Sequence, residues 1–275
     1  MKTRRSHRPH IMWLLLVLAA GGCQYLKAPI GLVPVALPPE AVDHVGVWAF
    51  KTWLKTVKTS RNAEDQRLVA AVAQPIIDAA RSTQYARVAE QFRWEVCLVE
   101  DDMANAYAFP GGKVAVNTGL LKFTKRSKDW LAVALAHEVV HALARHAGER
   151  MNAELKQGLA LALTGEGLSK QGLSPAATAS VMAAIGVSWE GSVMIPFSRA
   201  HESAADVDGL LLMARAGYDP RAAVAFWTEM KKRATGSRVP AFLSAHPSEE
   251  QRISDLERRT PDALKLFYAA TGAKG

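Results

Sequence analysis

The sequence predicts a mostly helical α+β domain built around one small antiparallel sheet, and three features carry that prediction. From Glu40 onward, apolar residues recur at helical spacing through most of the chain. Three short stretches between Phe92 and Asn117 are rich in Val and aromatic residues and have the look of half-buried strands. With 275 residues, 49% of them hydrophobic and 22% charged, the chain suits one well-buried domain rather than a disordered or multi-span protein.

The chain opens on Lys2, Arg4, Arg5 and Arg8, followed by an apolar run from Ile11 to Ala20. A bilayer-spanning helix needs about 20 apolar residues, so this shorter run behind a basic start reads as a secretory signal over residues 1–22. Ala19-Ala20-Gly21-Gly22-Cys23 resembles a bacterial lipobox, which implies a lipid on Cys23 and a membrane attachment through it. Gln24, in place of Asp, then implies sorting from the periplasmic face to the outer membrane of a Gram-negative cell. Residues 23–39 hold Pro29, Pro34, Pro38 and Pro39 and read as a lipid-anchored tether, leaving residues 40–275 as the folded domain.

Removing the four basic residues of the leader, which has no acidic ones, lowers the formal net charge from +8 to +4. No Lys/Arg cluster interleaved with aromatics remains, so nucleic acid is not an expected partner. With Cys23 modified, Cys97 is left without a disulfide partner, and its apolar setting marks it as a small buried hydrophobe.

Trp48, Trp53, Leu54 and Val57 predict a first helix, and Leu68, Val72, Ile76 and Ile77 a second that Pro75 either kinks or starts. The expected strands are Phe92 to Val99, Asn105 to Phe109 and Lys113 to Asn117, with Pro110-Gly111-Gly112 turning between the last two. Leu131, Leu135, Val139, Ala142 and Leu143 define a helix from Asp129 to Ala147, closed by Gly148. Residues 158–197 are rich in Gly, Ala and Ser, but Gln171 and Pro175 interrupt them, so a buried helix is expected there rather than a membrane span. Arg199 to Ala216, Arg221 to Arg233 and Pro247 to Arg259 complete the set, with Gly217 and Pro220 ending the first of these three.

His137-Glu138-Val139-Val140-His141 lies inside the helix with the most regular period. Residues four apart share a helix face about 6 Å apart along the axis, so two imidazoles can converge on one cation. A structural zinc site closes on four protein ligands, whereas a hydrolytic one keeps a place for water, and Glu138 is positioned to take that water's proton. The third ligand is expected from Ser198-Arg199-Ala200-His201-Glu202-Ser203-Ala204-Ala205-Asp206. Glu202 and Asp206 are four apart, so Glu202 can bind the ion while Asp206 fixes the tautomer of a ligand histidine. His201 is a rival, but neighbouring helix positions differ by about 100 degrees, so both cannot point at one ion. Glu202 is the choice.

Taken together, the His-Glu-x-x-His element, Ser198-Arg199-x-x-Glu202-x-x-x-Asp206, and His246-Pro247 with Arg252-Ile253 downstream resemble metallopeptidase family forty-eight. That family spans the CAAX prenyl proteases, Oma-type proteases, HtpX and a soluble periplasmic branch with LoiP and the beta-barrel assembly-enhancing protease. The small lipoprotein type fits best, because the chain lacks multiple membrane spans and room for tetratricopeptide repeats. It departs from the family at Ser203-Ala204-Ala205, where a second Glu is usual.

The resemblance implies a zincin-like fold of the gluzincin type, one zinc ion per chain, and endopeptidase activity on misfolded or unassembled envelope proteins. Asn105-Ala106-Tyr107-Ala108 resembles the edge strand of thermolysin-like zinc peptidases, which implies that an extended substrate adds to it as an extra strand. His246 is implied to lie near the metal, either stabilising the oxyanion or filling zinc's open position in a latent state. Arg199 and Arg252 are expected to tie carboxylates or position the His246 segment, and His146, five residues beyond His141, is expected to be structural. The rival function is a chaperone that holds unfolded chains in the same groove without cutting them.

Overall fold

The computed structural model describes residues 36–153, 197–234, 240–246 and 250–273. The expected leader, Cys23, most of the tether, Pro247 and nearly all of the 158–197 helix lie outside these residues. Among the described residues, no helix is long and apolar enough to cross a membrane.

The elements run α1 (Pro39–Trp53), α2 (Ala63–Ala80), α3 (Ala86–Gln91), β1 (Glu95–Val99), β2 (Ala106–Phe109), β3 (Lys113–Asn117), α4 (Thr118–Phe123), α5 (Lys128–Leu143), α6 (Arg199–Arg215), α7 (Arg221–Arg233), α8 (Ala241–Ala245) and α9 (Glu250–Thr271). Local chemistry explains where the long helices start. Asn62 caps α2 by accepting from the backbone N–H of Glu64 and Asp65, and Ser127 and Ser198 cap α5 and α6 in the same manner. The three helices of five or six residues, α3, α4 and α8, are too short to leave a periodic signature.

Two expected helix ends move, and β1 begins at Glu95 rather than Phe92. The helix carrying the His-Glu-x-x-His element stops at Leu143 rather than near Ala147, because Arg145 takes a left-handed φ of 59°. The sequence offered Gly148 as the stop, but a non-glycine residue supplies the turn. The last helix runs past Arg259 to Thr271 and holds Pro261 within it.

The expected mostly helical α+β architecture is present, with one correction to the sheet. Its strand order is β1-β3-β2, and it is mixed rather than antiparallel. β2 and β3 pair antiparallel across Pro110-Gly111-Gly112, where Gly111 and Gly112 adopt φ of 81° and 75°. β1 pairs parallel with β3, from Glu95 opposite Lys113 to Val99 opposite Asn117. Side-chain composition and alternation report which face of a strand is buried and not which strand lies beside it, so β3 inserting between β1 and β2 left no trace in the pattern.

α5 is the central element. Every residue from Leu131 to Leu143 is buried, with α6 on one side, α2 and α7 around it and the sheet beyond. A second apolar cluster joins α1 to the sheet, where the Phe50 ring meets Phe109 edge-on at 5.2 Å. Cys97 lies in β1 and is a free thiol, pushed up to about 12 by burial and by the nearby Glu95 charge, in keeping with an inert packing role.

Candidate metal centre

Because α5 is buried on all sides, its polar residues must meet other polar groups rather than water. His137, Glu138 and His141 are between 0% and 2% exposed. α6 crosses beside them and brings Glu202 and Asp206, four residues apart on one face, against the imidazoles. The chain after α8 brings His246 in from another side, with no measurable exposure.

The donor atoms converge. His137 Nε2 lies 3.0 Å from His141 Nε2, 3.4 Å from Glu202 Oε2 and 3.1 Å from His246 Nδ1. Glu202 Oε1 lies 3.5 Å from His141 Nε2 and 2.9 Å from His246 Nδ1. One ligand atom from each of His137, His141, Glu202 and His246 lies within 4.8 Å of the others. Among the described residues, this is the group of buried histidines and carboxylates that could hold a metal ion.

The donor set fits a cation. Asp206 Oδ1 sits 3.0 Å from His137 Nδ1, and an ionised carboxylate only accepts, so the imidazole donates there and turns its other nitrogen inward. Electron pairs facing one another at about 3 Å repel unless protons or a cation lie between them. The ionisation equilibria express the same demand. Burial opposes charge on His246, yet Glu202 and Glu138 outweigh it and push the ring up to about 9. His137 is raised too, as Asp206 and Glu202 overcome its burial. The Glu202 carboxyl is held far below the carboxylate range by His246 and His137 despite burial. His141 is the ring driven down, by burial and by its histidine neighbours. Two imidazoles, a carboxylate and a third imidazole form a donor set of the type zinc takes.

Glu138 stands beside the four donors rather than among them. Its Oε1 lies 3.0 Å from His246 Nε2, and its Oε2 has no hydrogen-bond partner among the described residues.

Arg252 locks the carboxylates. Its Nη2 donates to Glu202 Oε2 at 2.6 Å, its Nε donates to Asp206 Oδ2, and its Nη1 donates to the His246 carbonyl at 2.9 Å. The guanidinium lies 4.0 Å from the Trp227 ring centroid. Both functions expected of Arg252, tying carboxylates and holding the His246 segment, fall to one side chain. Arg199 lies at the exposed start of α6.

His201 faces away from the cluster, with Nε2 2.8 Å from Glu149 Oε2. β2 is an edge of the described sheet, and Asn105, Ala106, Tyr107 and Ala108 are all at most 8% exposed. Ala108 and Phe109 share a small apolar cleft with His141, Ala142 and Phe197. His146, expected from its spacing to be structural, is not among the converged donors and touches His141 from behind, Nδ1 to Nδ1 at 3.0 Å. The left-handed turn at Arg145 lies between the two residues, so no helical spacing rule could have found the contact.

The approach of α6 to α5 depends on Gly209. A Cβ there would lie 3.2 Å from the His137 backbone nitrogen and 3.3 Å from the Ala136 carbonyl carbon. Both are main-chain atoms of a buried helix and yield little. Gly209→Val is therefore expected to cost about 1–3 kcal/mol of stability in urea denaturation of metal-free protein and to reduce bound zinc. Unchanged stability and zinc content would show that the two helices have slack.

The peptidase family M48 model matches residues 63–260. The chain is 35% identical over 173 residues to the mitochondrial metalloendopeptidase OMA1 of Schizosaccharomyces pombe, covering 62% of this chain and 48% of that protein. It is 37% identical over 193 residues to the Arabidopsis thaliana OMA1, covering 68% and 37%. Against the beta-barrel assembly-enhancing protease of Escherichia coli it is 32% identical over 165 residues, covering 59% and 33%. The chain thus spans half or less of the length of these curated relatives.

Proposed function

The chain belongs to peptidase family M48, and on that premise we propose that it is a zinc-dependent endopeptidase acting on misfolded or unassembled proteins of the cell envelope. The observation that carries the proposal is the meeting of His137, His141 and Glu202 with Glu138 beside them, all of them buried. Those three residues hold the ion, and Asp206 fixes the His137 tautomer through Nδ1. Held by these residues, a zinc ion would supply Lewis-acid activation for peptide hydrolysis. Glu138 takes the water's proton and hands it to the leaving amine. An extended segment of substrate adds along Asn105, Ala106, Tyr107 and Ala108 at the outer edge of β2, through the main-chain groups of Ala106 and Ala108, since Asn105 turns its carbonyl to Asn117 N–H beside β3, with one apolar side chain in the cleft beside His141.

Four converged donors would also suit a structural zinc site. Membership of a peptidase family favours the hydrolytic reading, in which Glu138 beside the donors is the base. We read His246 instead as holding a latent state, because its Nδ1 joins the donor set and its Nε2 faces the base. Phe242, on the same segment, donates its N–H to the Ala104 carbonyl just before β2, so one stretch of chain touches both the centre and the strand. His246→Ala is expected to raise turnover several-fold with zinc content unchanged. Lost turnover at unchanged zinc content would instead make His246 the oxyanion's partner.

The envelope assignment draws on the signal-like residues 1–22, on the cysteine at position 23, and on the name of the Escherichia coli relative. We place the folded domain at residues 40–275 on the periplasmic face, tethered through residues 23–39. Digestion of casein tests the activity: a chelator should abolish it, and zinc should restore it. Cleavage that persists in metal-free protein would remove the zinc-dependent mechanism, whereas zinc-loaded protein that binds casein without cutting it would leave the holding of unfolded chains as the alternative.

A further inference from the structure

His146 lies outside the four converged donors yet is 5% exposed and in contact with one of them. Its Nδ1 is 3.0 Å from His141 Nδ1. His141 turns its other nitrogen, Nε2, toward His137 and Glu202. A ring nitrogen that offers its electron pair to a cation carries no proton, so the proton of a neutral His141 must sit on Nδ1. The short contact is then an N–H of His141 donating to the bare Nδ1 of His146, which keeps its own proton on Nε2.

We propose that His146 is a positioning residue of the metal site, accepting the Nδ1 proton of His141 and so fixing the tautomer and ring angle that present Nε2 to the ion. The inference rests on the reading of His141 as a ligand. It assigns the two imidazoles of α5 different supports: a carboxylate, Asp206, behind His137 and a neutral ring behind His141. Both remove the freedom of the ligand to choose its tautomer, but only the first adds negative charge.

The supporting ring is itself fixed. His146 stacks on His201 with centroids 4.4 Å apart and planes within 13°, and Glu149 Oε2 meets His201 Nε2 at 2.8 Å. The face of His141 is covered by Phe197, stacked at 4.1 Å, over which the Arg150 guanidinium lies at 4.4 Å. This also gives His201 a place: not a ligand, but one wall of the slot that holds His146. Rotating His146 out of that slot would leave His141 free to flip.

The test is zinc affinity of the full chain, measured by competition with a chromophoric chelator, together with the visible spectrum of cobalt-substituted protein. His146→Leu keeps volume without an acceptor, and is expected to weaken zinc about 10–100-fold and to alter the cobalt bands. In His146→Asn, Oδ1 falls near the position of Nδ1 and can accept, so affinity should stay within about threefold of the original. His146→Gln places its oxygen one atom further out and should lose what Asn retains, which keeps the test open if the Leu variant fails to fold. Unfolding midpoints of the metal-free variants are recorded alongside. Zinc affinity unchanged in His146→Leu, or lost equally in His146→Asn and His146→Leu, would overturn the proposal in favour of packing alone. Original affinity in His141→Ala would overturn the ligand reading beneath it.

Discussion

Glu138→Gln is expected to lower turnover on an unfolded protein about 10²–10⁴-fold while zinc content stays at one per chain. The substitution keeps shape and removes only the proton acceptor. Glu138 is completely buried and follows His137 directly on α5, so its side chain leaves the helix about 100 degrees away from that ligand. It therefore reaches the edge of the donor cluster rather than its centre, 3.0 Å from His246 Nε2. Zinc retention follows from its absence among the four donors, and loss of rate from its role as base. A chaperone using the same groove would keep its holding activity in this variant, and a structural zinc protein would show no change in any activity. Measured zinc content and single-turnover cleavage decide among the three.

Arg252→Met is expected to destabilise the metal-free protein by about 3–5 kcal/mol, read as a lower urea midpoint. Arg252 is 6% exposed, and its guanidinium contacts both Glu202 and Asp206 while holding the His246 carbonyl. Methionine fills much of the volume against Trp227 but leaves two carboxylates buried without their cation. Saturating zinc should recover part of the loss, because the ion replaces charge at Glu202 but not at Asp206. Arg252→Lys should fall between, since one ammonium cannot reproduce the planar fork. A variant as stable as the original would mean that the carboxylates are held by other means.

Much of this centre was legible before any coordinates. His137 and His141 announce themselves by spacing on the helix expected from Asp129, and Glu202 with Asp206 by the same four-residue rule on the helix expected from Arg199. The choice of Glu202 over His201 needed only the angular step of a helix, and the two side chains do diverge, Glu202 into the cluster and His201 toward Glu149. Local rules stop where the chain leaves regular structure. His146 follows a left-handed Arg145, so its position comes from the turn and not from a period. The parallel pairing of β1 with β3 joins strands that β2 separates along the chain, a contact that no local pattern records. Arg252 could be suspected of binding carboxylates, but its simultaneous grip on Glu202, Asp206 and the His246 carbonyl depends on α9 packing against α6.

The most direct test is an anomalous-difference map collected at the zinc edge from crystals of zinc-saturated protein. A single peak about 2.0–2.1 Å from His137 Nε2 and His141 Nε2, with a Glu202 oxygen at about 2.0–2.2 Å, is the expected result. A map with no peak among those three side chains, or with the ion bound through His201 in place of Glu202, would contradict the account.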